Sequence, residues 1–286
     1  MEYNVGSATN DAEVLTMSIW LMLLIIFAVL TFMAHPSLRY RKCERWRGEQ
    51  FAHRGLHDIK SGVVENTLPA FIAARDQGFG MELDIRFTKD MQLVVFHDDD
   101  LLRLAGDARK VCQLTLDELK AIPLGGIDDA RVPTLREVLD AVDGKTPLLI
   151  ELKSGRNNSG LCRALMDSME AYKGEFLVES FNPLIVAWFR FHTPQVVRGQ
   201  LVGPMPSYRP TGNGIAAFCM AGLLANFISR PDFIAYDANA QRFFSPHFQR
   251  FMFRTPMAAW TVRDQTTAAL IRKRGEMIIF EGDGRS

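Results

Sequence analysis

Four short fragments of this chain hold the side chains best suited to chemistry. They are His53-Arg54-Gly55, Glu82-Leu83-Asp84, His97-Asp98 and Glu151-Leu152-Lys153. In an extended strand, successive side chains alternate between faces, so Glu82 and Asp84 share one side and Glu151 and Lys153 share another. Charged groups on the inward face of a sheet are costly unless they are paired or functional. Glu82, Asp84 and Glu151 offer hard oxygen donors of the kind that bind Mg²⁺ or Ca²⁺. His53 and His97 titrate near neutral pH and suit an acid–base pair. Arg54 and Lys153 supply cations for phosphate oxygens. Together these groups form a centre for handling phosphoryl groups, with one divalent cation.

Such groups need a scaffold that brings strand ends together. Runs rich in branched and aromatic residues read as strands at Gln50–His53, Met81–Ile85, Leu148–Leu152, Phe176–Phe181, Val197–Val202, Phe233–Tyr236, Ala258–Val262 and Met277–Phe280. Helical patterns at Thr67–Gln77, Asn158–Ala171, Pro183–Phe191 and Thr266–Arg274 lie between several of them. Strands alternating with helices make a parallel sheet, and the length from residue 50 onward is close to the roughly 250 residues of a closed (β/α)8 TIM-type barrel. Active groups in that fold sit at the C-terminal ends of the strands. Leu93–Phe96 follows the second strand too closely for a crossover and reads as a hairpin return. Residues 98–133 then form a small insertion with one helix, opened by Thr115 with Glu118 three residues on.

These stretches carry a resemblance. With Glu65-Asn66-Thr67, Val132-Pro133-Thr134-Leu135, Glu179-Ser180-Phe181 and Trp260-Thr261-Val262, they occur in the order and spacing of the glycerophosphodiester phosphodiesterase family, from about residue 50 to 280. The resemblance implies metal-dependent hydrolysis of glycerophosphodiesters to glycerol 3-phosphate and an alcohol. It implies that Glu82, Asp84 and Glu151 bind the metal, that His53 and His97 are the acid–base pair, and that Arg54 and Lys153 hold the phosphate. Glu65 either touches the site or simply opens the first helix behind Asn66 as N-cap. Trp260 either lines the substrate end of the pocket or packs between strand and helix. His57 and His192 belong to no motif and read as surface or helix residues. Two departures stand out: Arg263 where the family commonly has Asn after Trp-Thr-Val, and Ile278-Ile279-Phe280-Glu281 where an Ile-Ile-Thr-Asp pattern is common. Neither departure falls on the metal or histidine set, and both bear on the leaving-group pocket.

The N-terminal segment differs in kind. Val14 to Ala34 contains no ionisable side chain, and about 20 apolar residues span a bilayer core. An acidic flank (Glu2, Asp11, Glu13) and the absence of a good cleavage site argue against a signal peptide. Arg39, Arg41, Lys42, Arg45 and Arg47 follow the run, which predicts a single-pass membrane protein with a cytoplasmic catalytic domain. The expected organisation is a tail at 1–13, a transmembrane helix at 14–34, a basic juxtamembrane linker at 35–49 and the barrel at 50–286. A formal net charge of zero gives no sign of a nucleic-acid partner, and none is expected. Four scattered cysteines suit a reducing compartment.

Two further segments are apolar. Ile215–Ser229 carries no charge, and Phe243–Phe253 holds five phenylalanines among Arg242, Arg250 and Arg254. As connections after strands they are expected on the catalytic face, dipping into lipid and favouring lysophospholipids. The competing expectation is that they pack on the barrel flank or against a second copy. Hydrolysis of soluble diesters, lysophospholipase-D-like cleavage at the membrane and an inactive binding barrel therefore remain the three readings of the sequence.

Overall fold

A computed structural model describes residues 5–204, 214–239 and 244–285. The long helix α1 runs over Val5–Ala34, so it starts before the apolar stretch that begins at Val14. After it come β1 (Gln50–Ala52), α2 (Leu68–Asp76), β2 (Gly80–Phe87) and the antiparallel return β3 (Leu93–Val95). Next is the insertion, with β4 (Asp100–Leu101), α3 (Leu102–Ala105), β5 (Asp107–Lys110) and α4 (Leu116–Lys120). The chain then alternates through α5 (Leu135–Val142), β6 (Leu148–Leu152), α6 (Asn158–Met169), β7 (Phe176–Ser180), α7 (Pro183–His192) and β8 (Val197–Val202). It continues with α8 (Gly214–Ala221), α9 (Asn226–Ser229), β9 (Phe233–Asp237), α10 (Phe244–Phe248), β10 (Met257–Val262), α11 (Gln265–Lys273) and β11 (Met277–Phe280).

Eight parallel strands close into a barrel in the order β1, β2, β6, β7, β8, β9, β10, β11. β1 completes the ring by pairing with β2 (Phe51↔Gly80) and with β11 (Gln50↔Ile278). All eight sit where branched and aromatic runs predict them. Alternate residues fill the lumen: Phe51, Leu149, Leu177, Phe233 and Ile279 are fully or almost fully buried. The other face of each strand, including Leu83, Ile85 and Ile150, packs under α2, α5, α6, α7 and α11.

The insertion has a core of its own, with Val64, Phe96, Leu119 and Val132. Thr115 and Glu118 form the expected reciprocal cap on α4. The two-residue β4, the four-residue β5 and the single turn α3 are additions, since pieces this short leave no periodic pattern to read.

Residues 35–49, expected as a linker, are folded against the barrel. A 3-10 helix over Tyr40–Trp46 inserts Cys43 and Trp46 into the N-terminal end of the lumen and closes it. The reason is apolar: Trp46 is a large side chain that becomes 2% exposed by packing beside Phe51 on the barrel floor. The apolar segments also depart from expectation. α9 leads directly into β9, and a π-helical turn at Gln249–Phe253 leads into β10, so the C-terminal part of each segment lies near the N-terminal end of the barrel, whereas α8, at the start of the first, packs Ala217 and Ala221 with Phe181 toward the catalytic side. A βα connection starts on the catalytic face but must cross the flank to begin the next strand. Arg242 and Phe243 lie outside the described residues.

Candidate active site

Strand register assembles the acidic centre. Asp84 on β2 is level with Glu151 on β6, and Glu151 is level with Glu179 on β7. Glu82 lies two residues before Asp84 on the same face. The carboxylate oxygens of Glu82, Asp84 and Glu151 all lie within 4.8 Å of one another, and the three residues are 2%, 0% and 7% exposed. Lys153 Nζ sits 2.8 Å from Asp84 Oδ1 and 2.7 Å from Glu151 Oε2. Asn66 Nδ2 donates to Asp84 Oδ2 at 2.8 Å.

The His53-Arg54-Gly55 turn follows β1 with an unusual backbone. Arg54 has φ 58°, in the left-handed region, which turns its backbone N–H onto Glu82 Oε2 at 3.0 Å. Gly55 has φ 81°, and a Cβ there would sit 2.8 Å from the backbone of Ala70 on α2. Only glycine satisfies both the dihedral and the close approach. The Arg54 side chain reaches Glu65 (2.7 Å) and lies 3.6 Å from Asp84.

Both histidines are held by carboxylates. His53 Nδ1 lies 2.5 Å from Glu281 Oε1, and His97 Nδ1 lies 2.7 Å from Asp98 Oδ1. With an acceptor-only partner, Nδ1 carries the proton and Nε2 is left to exchange one with a ligand. His97 reaches the centre because the Phe96 N–H donates to the Asp84 carbonyl, extending the β3 return by one residue. Arg86 then fixes the His97 carbonyl with two donors at 3.0 and 2.8 Å. Behind these groups runs a chain of ion pairs: Asp98 to Arg103 (2.7 Å), Arg103 to Glu65 (2.7 Å) and Glu65 to Arg54.

Electrostatics follow from burial without a bound cation. Burial raises Glu82 well above the ordinary carboxylate range, and the nearby charges of Asp84 and Glu151 add to it. Burial likewise raises Glu179, which lies beside Glu151 and has one oxygen with no partner. Burial also acts on Asp84, but Lys153, His97 and Arg54 together outweigh it and hold that carboxyl below its usual value. Burial pushes His97 down to about 4 against the pull of Asp84. It also lowers His53, with Glu281 opposing. Burial would raise Glu281, but its bond to His53 and the nearby charges, Arg263 among them, together bring it down to about 2.

A cavity of about 480 Å³ opens over this centre at the C-terminal end of the strands. His53, Arg54, Glu82, His97 and Glu151 line its polar floor. Phe181 and Trp260 form an apolar wall, their rings 5.8 Å apart and edge to face. The three clustered carboxylates are hard donors of the right number and spacing for one divalent cation, and the raised Glu82 is the signature of acids crowded without enough opposing charge.

Comparison with known proteins agrees with this geometry. The sequence profile of the Glycerophosphoryl diester phosphodiesterase family matches residues 53–280. The chain belongs to that family. The enzyme is a glycerophosphodiester phosphodiesterase, a phosphoric diester hydrolase. It is 30% identical to the Bacillus subtilis glycerophosphodiester phosphodiesterase homologue YhdW over 247 residues, covering 78% of this chain and 90% of that protein. The crystal structure of a glycerophosphodiester phosphodiesterase from Thermotoga maritima superposes with a TM-score of 0.61 at 27% identity, covering 81% of this chain and 93% of the other. Human lysophospholipase D GDPD1 is 34% identical over 157 residues, which is 50% of this chain and 48% of that protein.

Of the nine residues singled out in the sequence, seven line one cavity, and Asp84 and Lys153 join them through Glu151. Glu65 acts within it as the junction of two arginines, and Trp260 lines the wall. Several expectations need correction. Asn66 is not the N-cap of α2: Thr67 takes that position, and Asn66 (φ 54°) turns inward to Asp84. His57, expected on the surface or in a helix, lies on the cavity rim. The two departures from the family pattern do touch the histidine set. Arg263 Nε pairs with Glu281 Oε2 at 2.8 Å while the other Glu281 oxygen holds His53, so the two unusual residues occur as a pair. Arg86, Arg103 and Glu179 complete the site. Glu179 was legible from its register with Glu151, whereas Arg86 and Arg103 act through contacts that no local spacing encodes.

Proposed function

We propose that the enzyme cleaves its diester by acid–base chemistry at one divalent metal, Mg²⁺ or Ca²⁺, held by Glu82, Asp84 and Glu151. Such a cation supplies charge neutralisation to phosphoryl oxygens in the transition state. Arg54 and Lys153 bind and orient the phosphate from either side of the triad. The nucleophile in this reading is the neighbouring glycerol 2-hydroxyl, since an intramolecular group reacts at high effective molarity, and water then opens the cyclic phosphate. His97, brought down to about 4 by its surroundings, is unprotonated at neutral pH and accepts the hydroxyl proton at Nε2. Burial lowers the proton affinity of His53 against the pull of Glu281 at 2.5 Å; in this reading His53 takes up its second proton for the reaction and donates it to the departing alkoxide. The observation that carries the reading is a pair of imidazoles, each braced by a carboxylate, facing one buried carboxylate triad.

The test is leaving-group dependence. His53→Ala and His97→Ala are each expected to lower kcat on a choline-type diester by about 10²–10⁴. With a p-nitrophenyl leaving group, which needs no proton, His53→Ala is expected to recover most of its rate and His97→Ala to recover none. Equal recovery by both variants would reverse or abolish the assignment.

The substrate class in this reading is glycerol-3-phosphate diesters. Likeness to a lysophospholipase D over half the chain supports a second reading, with lysophospholipids as substrates. Membrane attachment is also proposed: Glu13–Ala34 within α1 is long and apolar enough to cross a bilayer, and the basic residues after it orient the barrel to the cytoplasm.

A further inference from the structure

The foot of α1 is fixed to the barrel. The Ala34 carbonyl accepts from two buried amides, Asn226 Nδ2 at 3.0 Å and Gln249 Nε2 at 2.7 Å. Arg230 Nη1 donates to the His35 carbonyl at 2.7 Å, and its guanidinium lies 4.8 Å over the Phe32 ring. Ser37 N–H donates to the Pro231 carbonyl at 2.8 Å. These partners lead into β9 and β10, so α1 leaves the molecule at the end of the barrel opposite the catalytic cavity.

Beside this junction is a second cavity, about 560 Å³, lined by Phe32, Leu38, Arg39, Arg190, Arg198 and Arg230 among others. Among the described residues, Asp232 is the one carboxylate paired with any of the four guanidinium groups there. Asp232 serves Arg39 (3.5 Å) and Arg198 (3.4 Å) together. Arg190 donates to the carbonyls of Phe227 (3.0 Å) and Ile228 (2.6 Å) and lies 4.8 Å over the Phe191 ring, and Arg230 likewise donates to carbonyls. Arg39 Nε is buried with no partner. Burial and the charge of Arg190 both disfavour the proton on Arg230, as expected where positive charge is in excess. Its apolar lining is exposed, with Phe32 at 61% and Leu38 at 81%, and Phe191 and Phe251 are further exposed apolar side chains at this end. Phe191 follows Arg190 on α7, and Phe251 is in the same turn as Gln249, which caps α1.

A cationic pocket with an apolar rim, continuous with an apolar helix, fits a lipid phosphate at a bilayer surface better than a free ion, for which the rim would serve no purpose. We propose that this cavity binds the phosphate headgroup of an anionic phospholipid in the leaflet where α1 ends, seating the N-terminal end of the barrel on the membrane. The inference rests on the reading of α1 as a membrane span. It turns the catalytic mouth away from the bilayer, and so favours diesters arriving from water over lipids still embedded in it.

The test uses the full chain in nanodiscs of phosphatidylcholine with one-tenth phosphatidylglycerol, transferred to mild detergent, with retained lipids counted by native mass spectrometry. Wild type is expected to retain phosphatidylglycerol over phosphatidylcholine about tenfold or more beyond the input ratio, from two or more cations each acting near the surface. R39Q/R190Q is expected to fall to near parity and R39K/R190K to keep the preference, both with unchanged diester hydrolysis as proof of folding. Wild type that resists alkaline carbonate extraction yet shows no preference would overturn the headgroup site and leave the anchor standing. Extraction by carbonate would overturn the anchor and the site with it. Displacement of the lipid by 10 mM inorganic phosphate, or a full preference in R39Q/R190Q, would overturn the lipid assignment.

Discussion

At the C-terminal end of the barrel, Glu82, Asp84, Glu151 and Glu179 crowd around Lys153 and Arg54; at the N-terminal end, four arginines line one cavity and two of them, Arg39 and Arg198, pair with Asp232. The two ends carry opposite imbalances, and they are built differently. The acids project from strands, where pleat and register fix each oxygen, and a small hard cation suits such a rigid nest. The arginines come from four separate elements with long flexible stems, and they surround a larger opening. The difference teaches that one closed sheet can hold an excess of buried charge at each end, provided each excess meets a ligand of opposite sign. Between them lies a lumen filled by apolar side chains such as Phe51, Phe233 and Ile279, which keeps the two fields apart.

The comparison can be broken at the acidic end first. Glu82→Ala, Asp84→Ala and Glu151→Ala are each expected to lower kcat/KM by about 10³ or more, because several kcal/mol of charge stabilisation depend on the triad. Calorimetric titration with Mg²⁺ or Ca²⁺ should show binding lost in parallel. A variant that kept both activity and metal affinity would remove that residue from the triad.

Trp46 tests the other end. Trp46→Ala is expected to cost about 3–5 kcal/mol of folding stability, as for large buried aromatics, with kcat per folded molecule unchanged. Denaturant titration together with active-site-normalised rates checks both halves. A fall in kcat without a fall in stability would mean that the floor communicates with the catalytic end.

The smallest expected effect sharpens the electrostatic contrast. Without metal, Glu82 and Glu179 have folded-state values raised above 4.5. Groups raised in the folded state stabilise it fully at pH below their unfolded value, and that contribution is lost as pH rises through the raised value. Metal-free protein therefore loses stability from about pH 4.5 upward, and a bound cation restores it. Saturating Mg²⁺ or Ca²⁺ should raise Tm more at pH 8 than at pH 5, by roughly 2–4 °C for each kcal/mol of difference. Equal shifts at the two pH values would mean that these acids do not feel the cation.

Legibility in the sequence follows the same division between the two ends. The eight strands and the carboxylate triad were readable because their information is local: branched residues mark the strand, and period-2 spacing puts Glu82 with Asp84. Asn66 was misread because a helix-capping residue type stood one position before the true cap, and only the left-handed turn at Asn66 redirects it to Asp84. The Glu281–Arg263 pair was visible as two oddities but not as a contact, since the residues lie on neighbouring strands' ends and meet only in the folded barrel. The arginine pocket draws on positions 39, 190, 198 and 230, which no spacing rule connects. Residues 35–49 were read by their charge, and the plug was hidden in Trp46 and Cys43, two apolar side chains within a basic stretch.

The pairing of β1 with both β2 and β11 has a consequence for biogenesis. Synthesis delivers the metal-binding carboxylates of β2 and β6 long before β11, yet Glu281, the brace of His53, arrives almost last, and the His53 N–H finds the Phe280 carbonyl only then. Joining partners so far apart in sequence is entropically costly and slow. A nascent or unzipped chain can therefore display the acidic nest while lacking an oriented His53, so catalytic competence reports ring closure itself and stays off until the last strand has docked.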